Sequence, residues 1–322
     1  MADRASAATT TSSSLVAPGA SPVTRRWSAR RWRDARDGYL FILPWLLGFI
    51  LWTGGPMIAS VAISMTEWRI ITTPHFVGLG NFLALLHDSQ IGLALYNSAF
   101  YVVFGVPTHI FIATLAALAV NVRLRGVAFY RTLYFLPSLT PIVANSLLWL
   151  TVFNTDFGLA NFAISFLGLP PVQWLSDPRF AKDSLIVMSW WGMGAQMVIL
   201  LAGLNGIPDH LYDAAAIDGA SWWDRFWHVT LPMLSPAIFF NLIIALIGAF
   251  QVFTQAYIMT NGGPDNATLF YVYYLYQVAF QNFDMGYASA MAWLFFLIIL
   301  AFTLIQFKAA RRWVFYEAEL KR

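Results

Sequence analysis

The stretch LYDAAAIDGASWWDRFWHVTLPML, Leu211 to Leu234, separates two long apolar runs with three aspartates, a row of alanines and three tryptophans. Its local chemistry reads as two short helices. Ile207-Pro208-Asp209 offers proline for the first helical position and an acid for the first turn, where the helix dipole favours negative charge. That helix should run to Ile217 or Asp218 and stop at Gly219, which takes the left-handed conformation without a Cβ clash. Ser221 and Asp224 have the spacing of a capping box with Asp in place of Glu, so a second helix should start there. Pro232 should then mark entry into the next apolar run. The expected form of residues 207–233 is helix, glycine elbow, helix. Asp209 and Asp213 share a face at i, i+4, and Ala214, Ala215 and Ala216 leave another side thin enough for close backbone approach. Such a helix suits insertion into a partner's groove. The plainer reading is a connector at the lipid interface, with Trp222, Trp223 and Trp227 at the boundary.

Outward from the elbow the chain is greasy. Hydrophobic residues make up 59% of the 322 and charged residues 11%, against about 25% charged in soluble domains. That composition is a membrane protein's. The formal charge of +3 does not indicate nucleic acid, because the basic residues avoid the apolar segments and form no face with stacking aromatics. Without cysteine the chain has no disulfide, thiolate metal site or Cys nucleophile.

A spanning helix needs about 20 apolar residues. Six windows qualify, at about 39–65, 94–120, 132–153, 184–206, 234–259 and 286–307, and none contains Asp, Glu, Lys or Arg. Pro44, Pro56, Pro107, Pro137, Pro141 and Pro236 fall inside them and predict kinked helices around a cavity. The apolar run from Tyr39 is longer than a signal-peptide core, although Ser60-Val61-Ala62 resembles a cleavage site. Residues 1–37, with the cluster RRWSARRWRDAR, read as a disordered basic tail, 38–310 as a six-helix domain and 311–322 as a C-terminal tail. Sixteen of the nineteen Lys and Arg lie on one side of the predicted spans, leaving Arg69, Arg179 and Lys182 opposite. The positive-inside bias therefore places both termini and the elbow in the cytosol. The outer connections, about 66–93, 154–183 and 260–285, are too short for domains.

The pattern YDAAAIDGA, then Phe, then LPMLSP, resembles the EAA loop of permease subunits in binding-protein-dependent ABC importers. FVGLGNF (76–82), RTLYFLPSLTP (131–141), LAGLNGIP (201–208) and TNGGPDNAT (260–268) agree in order, so the resemblance covers about residues 38–315. The Asn-Gly-Gly-Pro element is similar to the MalF-type (UgpA-like) half of carbohydrate-uptake permease pairs. The resemblance implies an all-α membrane protein with six transmembrane helices, the type I ABC importer permease (MetI-like) fold, in a prokaryotic cell membrane. It implies a second MalG-type subunit, two copies of a cytosolic ABC ATPase that binds ATP and Mg, a periplasmic or extracellular binding protein, and a sugar substrate. It also implies that Asp213, Ala214, Ala215, Asp218, Gly219, Ala220, Leu231 and Pro232 couple to the ATPase. Asp213 stands where the family usually has Glu, one methylene shorter. Six spans also depart from the eight of the enterobacterial maltose subunit.

The chain has no G-x-x-x-x-G-K-[ST] and no Gly-Lys pair, so ATP hydrolysis is expected from another chain. H-E-x-x-H and D-D-x-x-D are absent too, which leaves no sign of an embedded enzyme or metal site. The rival reading is a stand-alone carrier driven by an ion gradient. Such carriers normally hold ionisable groups inside their spans, and here only His109 is ionisable, a residue better suited to hydrogen-bonded packing than to a proton relay. A neutral polyol would instead use uncharged hydrogen-bonding groups and aromatic faces. Trp191, Gly192, Gln196, Gln251, Gln255 and Tyr257 are the candidates for its pathway, with Gln251 and Gln255 expected at i, i+4 on one helical face. Amides in spans also serve as packing glue between helices. The sequon at Asn266-Ala267-Thr268 reads as coincidence.

Overall fold

The computed structural model describes residues 29–122 and 125–315. Most of the expected N-terminal tail, Arg123, and residues 316–322 of the C-terminal tail lie outside the described residues. The chain divides at Met57 into two compact units. The first carries α1 (Ala29–Phe49), which continues through a π-helical turn, Ile50–Gly54, into α2 (Gly55–Ser64). Residues 29–37, expected to be disordered, are the first turns of α1. Ala and Arg are strong helix formers.

The second unit begins at Ile58 within α2, and α2 is followed by a small antiparallel hairpin, β1 (Thr66–Glu67) and β2 (His75–Phe76), and by α3 (Gly80–Leu85). α4 (Ser89–Phe100) runs through a π turn, Tyr101–Gly105, into α5 (Val106–Val120). α6 (Val127–Phe135) passes through a 3₁₀ turn, Leu136–Leu139, before α7 (Ile142–Val152), and α8 (Leu159–Ser165) is short. α9 (Pro178–Trp191), α10 (Gly194–Asn205), α11 (Asp209–Ile217) and α12 (Trp222–Arg225) lead through another π turn, Phe226–Thr230, into α13 (Leu231–Phe250). α14 (Tyr271–Tyr276) and α15 (Met285–Ala310) complete the order.

Four uninterrupted helical stretches, 32–64, 89–120, 222–250 and 285–310, are long and apolar enough to cross a bilayer. Counted as one span each, two bent pairs bring the number to the expected six: α6–α7, turned by 100°, and α9–α10, turned by 52°. The prolines act differently from simple kinks. π turns end two residues before Pro56, Pro107 and Pro232. A proline ring collides with the carbonyl four residues back, and in each case that carbonyl belongs to the widened turn. The register is visible where Leu231 N–H donates to the Phe226 carbonyl, five residues earlier. Pro232 consequently lies within one continuous helix from Trp222 to Phe250 and does not mark its entry.

The fifth window also departs from expectation. α13 stops at Phe250, and Gln251 leaves the helix at φ −90°, ψ 16°. Gln251 and Gln255 are not on one helical face. Phe250 and Val252 are both buried, with Phe250 set against Phe295 and Phe302 at 5.8 and 5.3 Å. Tertiary packing, which no periodicity announces, sets this break.

Candidate functional site

The elbow forms from its own residues. Pro208 is the extended residue before α11, one position earlier than expected. Gly219 adopts φ +78°. Its N–H donates to the Ala216 carbonyl at 3.1 Å and the Ala220 N–H to that of Ala215 at 2.9 Å, the two bonds of a Schellman stop. Ser221 and Asp224 form a full capping box: the Asp224 carboxylate accepts from the Ser221 N–H at 3.0 Å, and Ser221 Oγ accepts from the Asp224 N–H at 3.3 Å.

One side of α11 is held and the other is open. Leu211 and Tyr212 pack on the cluster containing Leu200, Leu204 and Leu234, and Tyr212 Oη lies 3.0 Å from Thr230 Oγ1. Because those two residues take the inward side, Ala214 and Ala216 share the exposed arc with Asp213. The alanines do not form a thin side separate from the acids. Asp218 and Gly219 are exposed, Ala215, Ala220, Leu231 and Pro232 are half-buried, and Ile217 is 87% exposed. The elbow thus presents carboxylates, methyl groups and one large aliphatic side chain outward, with Trp222, Trp223 and Trp227 exposed beside them.

The six candidate pathway residues are not gathered in one place. Trp191 lines a cavity of about 630 Å³ with Pro137, Thr140, Asn145, Trp149 and Trp190. Gln196 and Gln255 line a second, of about 260 Å³, with Tyr101, His109, Ser189 and Gly248. Gly192 caps α9 in the bend. Gln251 is exposed, and Tyr257 belongs to an aromatic group with Phe253, Tyr273 and Tyr276. Asn241 is fully buried and donates to the Ala237 carbonyl at 2.9 Å, a packing role.

The bends build both cavities. An added Cβ at Gly194 would lie 2.6 Å from the Tyr134 carbonyl oxygen and 2.7 Å from Phe135 Cα, so glycine lets the start of α10 rest on the end of α6. Trp190 Nε1 donates to Thr108 Oγ1 at 3.1 Å, joining α9 to α5. Trp149 and Trp191 meet edge to face at 6.3 Å. Neither lining contains Asp, Glu, Lys or Arg. Among the described residues, Asn145 Oδ1 and Trp149 Nε1, of the larger cavity's lining, are buried without a hydrogen-bond partner, whereas in the smaller one His109 is hydrogen-bonded to the Gln196 side chain and the Ser189 backbone. A buried polar atom without a partner costs about 1–3 kcal/mol, so Asn145 Oδ1 and Trp149 Nε1 are an acceptor and a donor left to be satisfied beside the larger cavity. The sequence reading missed Tyr101, Ser189, Thr140 and Gly248. Their signal is indirect, the Pro and Gly that break neighbouring helices.

With the elbow and bent spans described, relatives can be compared. Residues 77–314 match the family described as binding-protein-dependent transport system inner membrane component. The chain belongs to that family. The permease is 41% identical over 310 residues to the probable ABC transporter permease protein YesP of Bacillus subtilis, covering 95% of this chain and 99% of the relative. It is 33% identical over 289 residues to the trehalose/maltose transport system permease protein MalF of Thermococcus litoralis, covering 88% and 97%. Its fold superposes with a TM-score of 0.76, at 24% identity and coverage of 88% and 98%, on a chain of the bacterial alginate ABC transporter solved with an alginate pentasaccharide-bound periplasmic protein. The permease is therefore a multi-pass membrane component of an ABC transport system with the MetI-like fold. The stand-alone ion-coupled carrier is not favoured.

Proposed function

We propose that this permease forms one half of the translocation pathway of a sugar importer and receives the work of ATP through its elbow. The open arc of α11, from Asp213 to Gly219, carries the reading: a helix stopped by its own glycine and braced on one side only is a rigid projection offered to a partner. The residues presented are Asp213, Ala214, Ala215, Asp218, Gly219 and Ala220, with Leu231 and Pro232 carrying the motion into the span. The partner is a cytosolic ATPase in two copies, holding ATP and Mg, with a MalG-type subunit completing the pathway and an external binding protein delivering substrate. Both termini then lie in the cytosol of a prokaryotic cell.

The substrate is a neutral sugar. Relatives are named for trehalose and maltose, lactose, and arabinooligosaccharides, and the larger cavity beside the bends offers tryptophan side chains and two unpaired polar atoms without charge. Nucleotide binding moves the elbow only to the extent that it favours one state over the other, a preference residing in the partner chains. The bent spans α6–α7 and α9–α10 rock around the sugar. Proteoliposomes containing both permease subunits, the ATPase and the binding protein should take up sugar only with ATP. Uptake by this chain alone under an ion gradient would remove the proposal.

A further inference from the structure

Inside the span beyond the elbow, α13 has a gap in its hydrogen-bond ladder between Pro232 and Pro236. Along an α-helix the Pro232 carbonyl would accept from the N–H of residue 236, but Pro236 has no N–H to give. No π turn ends two residues before this proline as one does before Pro56, Pro107 and Pro232. Ser235 closes the gap from the side. It is 3% exposed, and its Oγ donates to the Pro232 carbonyl at 2.6 Å.

The same hydroxyl is held from the far end of the sequence. Past α15 the chain turns, with the Arg312 N–H on the Ala309 carbonyl at 3.1 Å and the Val314 N–H on the Ala310 carbonyl at 2.8 Å. The Phe315 N–H then donates to Ser235 Oγ at 2.9 Å. A relay of Phe315 N–H, Ser235 hydroxyl and Pro232 carbonyl results. Ring packing fixes the approach: Phe239, one turn further along α13 and buried, meets Phe307 and Trp313 edge to face at 5.4 and 6.0 Å. The strap is light. Trp313 and Phe315 stay 42% and 39% exposed, so its hold depends on the relay and on Phe239.

We infer that residues 311–315 are a splint. They stiffen α13 at its proline gap, where a spanning helix is prone to bend, so that a push on the elbow reaches the body of the span and α15 follows. The inference rests on the reading of the elbow as the receiver of work. Ser235 is a positioning residue in this arrangement. A freed carbonyl at a proline is re-satisfied either by a nearby hydroxyl or by a neighbouring helix, and here the two are joined: the hydroxyl serves the carbonyl and is itself oriented by the strand of chain leaving α15. Removing either the hydroxyl or the Phe315 N–H loosens the same point.

The absence of cysteine makes the test direct. Nitroxides at Trp223→Cys and Phe240→Cys lie on either side of the gap, about 25 Å apart along the helix. In liposomes holding the full transporter with cysteine-free partner chains, pulsed electron paramagnetic resonance should give one narrow distance distribution. Ser235→Ala and Phe315→Pro should each broaden it, shifting the balance of straight and bent helix by about fivefold, the worth of one ordinary hydrogen bond. The two together should broaden it no further, and Ser235→Thr, which keeps the hydroxyl, should leave it narrow. Sugar taken up per ATP hydrolysed should fall by a similar factor in the first two variants and not in Ser235→Thr. An unchanged distribution in both variants, a Thr variant as broad as the Ala variant, or broadening with wild-type uptake per ATP would each overturn the splint. Failure of the wild-type transporter to use ATP would strike the importer reading instead, because the distances are measured without transport.

Discussion

The two ends of the permease satisfy their polar groups in opposite ways. At the end opposite the elbow, single side chains tie distant segments together. Asn97, nearly fully buried, donates to the Asn266 and Leu269 carbonyls at 2.8 and 3.2 Å and accepts from Lys182 Nζ at 3.0 Å. Asp88 Oδ2 accepts from Tyr274 and Tyr287 hydroxyls, both at 2.8 Å. At the elbow, the stop and the capping box close within five residues and the surface stays open. One end is tied together across distant segments of the chain. The other is shaped alone and left to be covered.

The contrast predicts that elbow changes leave the ties between distant segments intact and abolish work. Gly219→Pro is the largest expected effect: the ring cannot adopt φ +78° and removes the N–H that bonds Ala216, a penalty of about 3 kcal/mol. ATP-driven uptake should fall by about a hundredfold, while the binding protein still captures sugar. Stimulation of the ATPase at wild-type level in this variant would detach the elbow from coupling.

The opposite end predicts the reverse pattern. Asn97→Ala leaves two carbonyls and an ammonium short of partners, a loss of about 2 kcal/mol or more, and should lower the melting temperature in detergent by about 5 °C. Residual folded protein should retain ATP dependence. An unchanged melting temperature would show that the far end is not knotted as the contacts indicate.

These two regions also mark what could be read from sequence. The elbow was legible because Gly219, Ser221 and Asp224 act through neighbours a few residues away. The far knots were not, since Asn97 and Asn266 are 169 positions apart and nothing in an apolar run says which amide will meet which carbonyl. The span count was legible from composition, but the stop at Phe250 was not, because Gln251 sits in a sequence that remains apolar beyond it. For the same reason their i, i+4 spacing suggests one face for Gln251 and Gln255, and nothing in the sequence divides Gln196 and Trp191 between two cavities.

A smaller effect is a pH dependence confined to the far end. Burial raises the pKa of Asp88, but the Tyr274 and Tyr287 hydroxyls and the backbone N–H groups of Gln90 and Ile91 outweigh it and hold the carboxyl below its ordinary 3.8. A depressed folded-state pKa gives stability that is fully present above the unfolded value and is lost as pH falls through the folded one. The stability difference between wild type and Asp88→Asn should therefore be constant near neutrality and shrink below about pH 4. A difference that grows on acidification would reverse the assignment.

The smallest predicted effect probes the departure of this sequence from its family. Asp213 is exposed on α11 and braces nothing across the fold, so Asp213→Glu should leave the melting temperature unchanged, within about 0.5 kcal/mol. If the elbow seats in a partner shaped for the shorter acid, the extra methylene should displace an exposed ion pair worth about 1 kcal/mol or less. Uptake would then fall by about fivefold at most. Asp213→Lys reverses the charge at the same spot and should fall much further, so the ratio between the two variants separates reach from sign. Equal uptake in both, at wild-type level, would mean that no cation faces this residue and that the alanines and Ile217 carry the contact.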